Sequence, residues 1–224
     1  MKIKRMISFI LVSTVVLVLS ACQDTDVIGN FAIKSFEELI NFSDQNVYFD
    51  EQRNQWVLQS PGKEKFIWSK DFSKNTFDIG FEIDATPFIN AGLDTLKLPR
   101  EKYIYNKDKG TIIIVSDLGD NKFEYSEDST AKNSFKQIIR SHRKLIGYHE
   151  EMDHFGINLG DGNKFEWAKD ISNNDKDIVF ILNPHDFISA GVDSERLDGW
   201  KLVQRADIHG GEEKDKFVKP FDLN

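Results

Sequence analysis

Cysteine is nearly missing from this chain of 224 residues: Cys22 is the only one, so no internal disulfide can form. Histidine is scarce too, with five residues. That limits any imidazole-based metal site or general base to a few positions. There is no Gly-rich phosphate loop, no G-x-S-x-G elbow and no CxxC pair, which removes the best-marked nucleotide, hydrolase and redox classes. Positive charge is in deficit, at 29 Lys and Arg against 37 Asp and Glu. Leaving out Lys2, Lys4 and Arg5 at the start, 26 basic residues face 37 acidic ones, a net of −11. Such a surface repels phosphate backbones and excludes nucleic acid as the expected partner. It also repels anionic headgroups, so a globular part is expected to stand off any membrane. Long apolar runs are absent except for one. Met6 to Ala21 carries no charge for 16 residues, short of the roughly 20 that span a bilayer.

That run follows the three leader cations and ends in "LSAC", Leu19 to Cys22. The arrangement is that of a secretory signal. Its end resembles the lipobox of bacterial lipoproteins: an aliphatic residue, two small ones, then cysteine at the cleavage point. The resemblance covers the leader alone. It implies that Cys22 becomes the first mature residue and carries a covalent diacylglycerol thioether, usually with an acylated amine such as a palmitate. No other cofactor is expected. Two or more acyl chains, at ~0.8 kcal/mol per buried CH₂, make a stable anchor. The expected location is therefore the cell membrane or outer membrane, lipid-anchored and outside the cytoplasm. The polar stretch "QDTDVIGN" after Cys22 reads as a short tether.

What the chain has in abundance is repetition. "KFIWSKD" from Lys65 returns as "KFEWAKD" from Lys164, 99 positions on. Residues 66–94 and 165–193 align without a gap and share 14 of 29 identities, including Phe66/Phe165, Trp68/Trp167 and "FINAGLD" against "FISAGVD". "SFEELI" from Ser35 and "SFKQII" from Ser134 stand at the same separation, and each reads as a capping box opening a helix. Fainter echoes occur at "KFEYSED" from Lys122 and "KFVKPFD" from Lys216. The segments between alternate with period two and are punctuated by turn residues, predicting hairpins from Asn46, Lys102 and Gly147. In "FDIGFEID", Phe77, Ile79, Phe81 and Ile83 are predicted to face inward. Gly92 and Gly191 are predicted to stop short helices. The expected fold is α+β: two tandem duplicated units, each an antiparallel sheet with one longer and one short helix. The boundaries expected are signal peptide 1–21, lipidated Cys and tether 22–30, first unit 31–128 and second unit 129–224.

Candidates for chemistry are few. "HEEMDH" offers His149, Glu151, Asp153 and His154 as weak metal ligands, although its His spacing of five differs from the i, i+4 pair of helical zinc motifs. His185 beside Asp186 reads as a helix-start pair, His209 as a turn residue and His142 as the basic end of a helix. The acidic runs "NNDKD" and "DLGDNKFE" lack the ligand order of a calcium loop. Trp68 and Trp167 are candidates for ligand stacking, but a phrase kept in both copies reads more readily as core. Val179 and Ile181 make "DIVFIL" apolar on both faces, where the first copy has Gly80 and Glu82. That predicts a covered strand or an apolar ligand groove. The functional expectation is a membrane-anchored envelope lipoprotein, non-enzymatic, binding a small ligand or an envelope protein. The alternatives are a metal-assisted hydrolase using the His149–His154 cluster and an envelope structural or assembly protein.

Overall fold

The computed structural model describes residues 27–70, 77–116, 118, 129–171, 176–206, 208 and 211–223. The leader, Cys22, "KFEYSED" and His209 lie outside the described residues, as do most of "NNDKD" and of "DLGDNKFE".

The first sheet is built from β1 (Val47–Asp50), β2 (Gln55–Gln59), β3 (Lys65–Ser69), β4 (Ile79–Asp84), β5 (Tyr103–Asn106) and β6 (Thr111–Ser116). The second comprises β7 (Ile146–His149), β8 (His154–Gly160), β9 (Asn163–Ala168), β10 (Ile178–Leu182), β11 (Lys201–Arg205) and β12 (Lys214–Phe221). All pairings are antiparallel, and the strand orders correspond: β1-β2-β3-β4-β6-β5 and β7-β8-β9-β10-β12-β11. Helix α1 covers residues 27–42 and precedes the first sheet, while α3 (Ala131–Ser141) precedes the second. Short helices α2 (Thr86–Asn90) and α4 (Pro184–Ser189) follow β4 and β10. The fold is thus α+β with two six-stranded antiparallel sheets. The expected hairpins form at β1–β2, β5–β6 and β7–β8. No helix among the described residues is long and apolar enough to cross a membrane.

The two sheets share one core. Residues 99 apart meet their own counterparts: Phe36 stacks on Phe135 at 3.5 Å, Phe66 on Phe165 at 4.2 Å, Phe81 approaches Phe180 at 5.3 Å and Phe88 approaches Phe187 at 4.9 Å between ring centroids. The relation extends to the backbone. Asp94 N–H donates to Ala190 O and Asp193 N–H donates to Ala91 O, both at 2.8 Å. Gly92 and Gly191, each at positive φ, touch so closely that a Cβ on either would lie 2.8 Å from the other's carbonyl oxygen. A local twofold axis therefore runs between the sheets, and each inner face is completed by the other.

The helices cross over to the opposite sheets. Ser35 Oγ on α1 donates to Ala168 O at the end of β9, and Trp68 Nε1 on β3 donates to Ser134 Oγ on α3 at 2.9 Å. This corrects the capping-box reading. Ser35 and Ser134 are buried inside helices that begin earlier, and the N-cap of α3 is Thr130, which accepts from Asn133 N–H. A small hydroxyl facing the seam is what the repeated Ser-Phe pair supplies. Residues 27–30, expected in the tether, already belong to α1.

Two further expectations shift. Phe77 precedes β4, and its ring lies over Gly80 on the outer face instead of joining Phe81 inside. The strand "KFVKPF" is β12, and its counterpart in the first sheet is β6. Phe81 pairs with Ile114 where Phe180 pairs with Lys219, a separation of 105 in place of 99.

Candidate functional site

Trp68 and Trp167 are fully enclosed, at 0% exposure, among Phe36, Phe66, Phe135 and Phe165. They are core residues and present no stacking surface to a ligand. Val179 and Ile181 are likewise buried, paired between β9 and β12 at Glu166/Pro220 and Lys164/Val218. They belong to a covered outer face, at 1% exposure each. The lysine of the repeated phrase also has a structural partner in each copy. Lys70 lies over the Phe49 ring at 5.3 Å, and Lys169 lies over Tyr148 at 5.4 Å.

The "HEEMDH" residues close the β7–β8 hairpin. His149 and His154 are directly opposed in its register, and residues 150–152 form a 3-10 turn ending at left-handed Asp153. The side chains then diverge. The two histidines share the outer face with Gly147 and Gly156, whereas Asp153 accepts from the Tyr148 hydroxyl and pairs with Lys169 Nζ at 3.3 Å. The Tyr148 hydrogen bond, helped by Lys169, holds the Asp153 carboxyl below its usual range. Among the described residues no three His, Cys, Asp or Glu side chains converge as a metal site. The four residues proposed as ligands therefore do not form one shell.

What the outer face of the second sheet does hold is a buried ionic knot beside an open groove. Arg205 Nη2 from β11 donates to both Glu166 oxygens, at 2.9 and 3.1 Å, and His154 Nδ1 stands 3.8 Å from the same carboxylate. Burial pushes the Glu166 carboxyl up, but His154 and the Arg205 guanidinium outweigh it and leave the group below the usual glutamate range. Glycine at 147 and 156 is needed here because a Cβ on either would fall 2.8–2.9 Å from Ile208, which presses onto this floor from the β11–β12 connection. Beyond Ile208 a groove of about 760 Å3 opens, bounded by Ile28 of α1, by Arg143 and Lys144, by the edge strand β7, and by Gln204 to Ala206 with Glu213. His149 lines it, and its Nδ1 is buried without a hydrogen-bond partner among the described residues. The groove thus offers a basic rim, an acidic rim at Glu150, Glu151 and Glu213, and an imidazole between them.

The first sheet carries a different knot at a different place. Arg53 Nη1 donates to Glu82 Oε2 at 2.6 Å, with Lys65 Nζ 3.8 Å from the other oxygen. Ionic contacts also tie the halves together, Lys102 Nζ standing 3.1 Å from Asp161 among them. Lys219 Nζ donates to the fully buried Glu64 at 2.6 Å, and Asp186 accepts from the Tyr103 hydroxyl at 3.1 Å with Lys102 3.5 Å away. His185 is exposed and sits 3.3 Å from Asp186, whose carboxyl is already engaged in that tie. His142 Nε2 lies 3.2 Å from Leu118 O at the end of α3.

Sequence reading missed Glu166, Arg205 and Ile208. One signal was present: Glu166 stands where the first copy has Ile67, a carboxylate at a covered position of the most strongly repeated strand. Its partner Arg205 lies 39 residues away, outside the repeat that the alignment detects. No protein-family model, no curated protein and no solved structure matches the chain.

Proposed function

We propose that the protein is a bacterial envelope lipoprotein, held to a membrane through diacylglycerol on Cys22, whose second sheet presents a binding groove for a small ligand or a segment of an envelope protein. The observation that carries the anchor is the "LSAC" motif closing a 16-residue uncharged run behind three cations. The groove beside β7 supports the binding role. It is the open concave surface in which apolar Ile28, Ile146 and Ile208 meet charged groups of both signs. The space between the halves is filled by stacked rings, which supports a binding surface on the outside.

The two halves descend, in this reading, from a duplicated unit with boundaries 31–128 and 129–224, the helix of the first already present at residue 27. Equal strand orders and the self-contacts of residues 99 apart support this. The hydrolase alternative is less well supported. His149 and His154 face one way, Asp153 the other, and Glu166, 3.8 Å from His154 Nδ1, is engaged by Arg205.

Two measurements test the proposal. Cys22→Ser should move the protein from the membrane fraction to the soluble fraction; continued attachment would refute the anchor. Thermal melting of the protein with envelope sugars, peptides and lipids, and with Zn²⁺ or chelator, tests the groove. A groove ligand at 100 times its Kd adds about 2.7 kcal/mol. A Zn²⁺-specific rise would instead revive the hydrolase reading, and a stable protein complex without any small-molecule response would favour an assembly role.

A further inference from the structure

The anchored end of the molecule differs in character from its acidic whole. Val27 and Phe31, one helical turn apart on the same side of α1, are 51% and 57% exposed. Exposed apolar residues are common singly, but this pair has unusual neighbours. Helices α1 and α3 run antiparallel: Gly29 lies against Ile139, Phe36 stacks on Phe135, and Lys132 donates to Asn41. The Val27–Phe31 stretch of α1 therefore belongs to the same end of the molecule as the end of α3, where Arg140, Arg143 and Lys144 are all exposed. Ile28 bounds the same groove as Arg143 and Lys144, which fixes the proximity. In a chain of net charge −8, three exposed cations thus stand at the same end of the molecule as two exposed apolar side chains.

The third observation is distance along the chain. Val27 is five residues after Cys22. At no more than about 3.6 Å per residue, Val27 lies within about 18 Å of the lipidated sulfur. If Cys22 is held at the headgroup level, this end of α1 is confined to the immediate neighbourhood of the bilayer.

We infer that the Val27–Phe31 face of α1, with Arg140, Arg143 and Lys144, docks on the anionic lipid surface in which the anchor is inserted. The inference rests on the lipoprotein reading above. It replaces the expectation that the acidic domain stands off the membrane: the overall charge is repelled, but the anchored end is attracted. The apolar pair enters the interface while the cations meet lipid phosphates, the division of labour of interfacial helices. Glu150, Glu151 and Glu213, on the other rim of the groove, are repelled by the same surface.

The test uses the full lipidated protein in vesicles of phosphatidylcholine with and without phosphatidylglycerol. Cys22 is the only cysteine and is alkylated in the lipoprotein, so Phe31→Cys offers one thiol for a nitroxide label. Leu96→Cys, at a position 77% exposed on the α2 side of the core, is the control. In anionic vesicles the label at 31 should collide more with lipid-soluble oxygen than with a water-soluble nickel chelate, and the label at 96 should do the reverse. Arg140→Gln with Lys144→Gln should lower the docked-to-undocked ratio about thirtyfold, each cation near an anionic surface being worth roughly a factor of five. The protein should still float with the vesicles. A label at 31 as water-accessible as that at 96, on protein that floats, overturns docking while sparing the anchor. Spin–spin broadening between labels at 31, marking contact between two copies, also overturns it. Failure to float rejects the anchor itself, and docking with it.

Discussion

Gly92→Ala is the perturbation that interrogates the shared axis most directly. The new methyl group would lie 2.8 Å from Gly191 O, a backbone atom with little freedom to yield. The residue would also have to hold φ at +105°, which costs an L-residue roughly 1–2 kcal/mol. Relieving the overlap means separating the loops that exchange the Asp94–Ala190 and Asp193–Ala91 hydrogen bonds, each worth about 0.5–1.5 kcal/mol. Together these give a loss of about 4 kcal/mol. Gly110→Ala provides the comparison, because Gly110 also has positive φ but nothing within 4 Å of its Cβ, and it should cost only about 1 kcal/mol. Urea unfolding followed by circular dichroism gives both values if the slopes agree. Gly191→Ala should match Gly92→Ala. The double variant should fall short of the sum by about 1–2 kcal/mol, since either methyl alone already separates the loops. Equal small losses for Gly92→Ala and Gly110→Ala, or strict additivity in the double variant, would refute the close self-contact on which the shared core rests.

The two tryptophans should part company despite their equivalent places in the repeat. Trp68 Nε1 donates to Ser134 Oγ and Ala131 O, whereas Trp167 Nε1 is buried without an acceptor among the described residues. Trp68→Phe should therefore cost about 1–2 kcal/mol more than Trp167→Phe in thermal or urea unfolding, and equal losses would count against the crossed helix contact. Acid unfolding should report on the outer knot. Glu166 has its carboxyl held below the usual glutamate value, so its stabilisation is complete above about pH 4.3 and is lost as pH falls through the lower folded value. Glu166→Gln should lower stability at neutral pH by about 1–3 kcal/mol and flatten the decline below pH 4.3; an unchanged acid profile would remove the carboxylate from the knot. Asp177 works in the opposite direction, its carboxyl raised by burial, but it is common to both proteins and cancels in the comparison.

The fold was legible wherever the chain repeats itself at a constant spacing. Trp68 and Trp167, Phe66 and Phe165, and the glycines after the short helices all carry the constraint that one half must fit its own image. That constraint leaves identical residues behind. The crossing of the helices was not legible, because a capping box and a buried helix–sheet serine look alike as Ser-x-x-Glu or Ser-x-x-Gln. Only the helix start at Thr130, set by its extended backbone and a hydroxyl that accepts from Asn133 N–H, distinguishes them. The pairing of β6 with β12 was hidden by six extra residues in the second half, which break the spacing of 99. The groove was hidden for a different reason. It joins α1, β7 and the β11–β12 connection, and no local pattern reports a contact between segments that far apart.

The same constraint explains where the halves are free to differ. An inner-face substitution in one half meets the other half at the axis, so Phe66, Trp68, Phe81 and Phe88 are matched in the second copy. Outer faces meet nothing of their own kind, and there the copies part: Ile67 against Glu166, Gly80 against Val179, Glu82 against Ile181. Besides the matched Asp78 and Asp177, each half has buried a glutamate on its outer face, Glu82 or Glu166, but in different strands and against different arginines, Arg53 and Arg205. The divergence is therefore concentrated on the surfaces away from the axis. In the second half it coincides with the Gly147–Gly156 floor, the Ile208 contact and the groove bordered by α1. Symmetry builds the scaffold, and the two halves differ on the outer face of the second sheet, beside the groove that α1 borders.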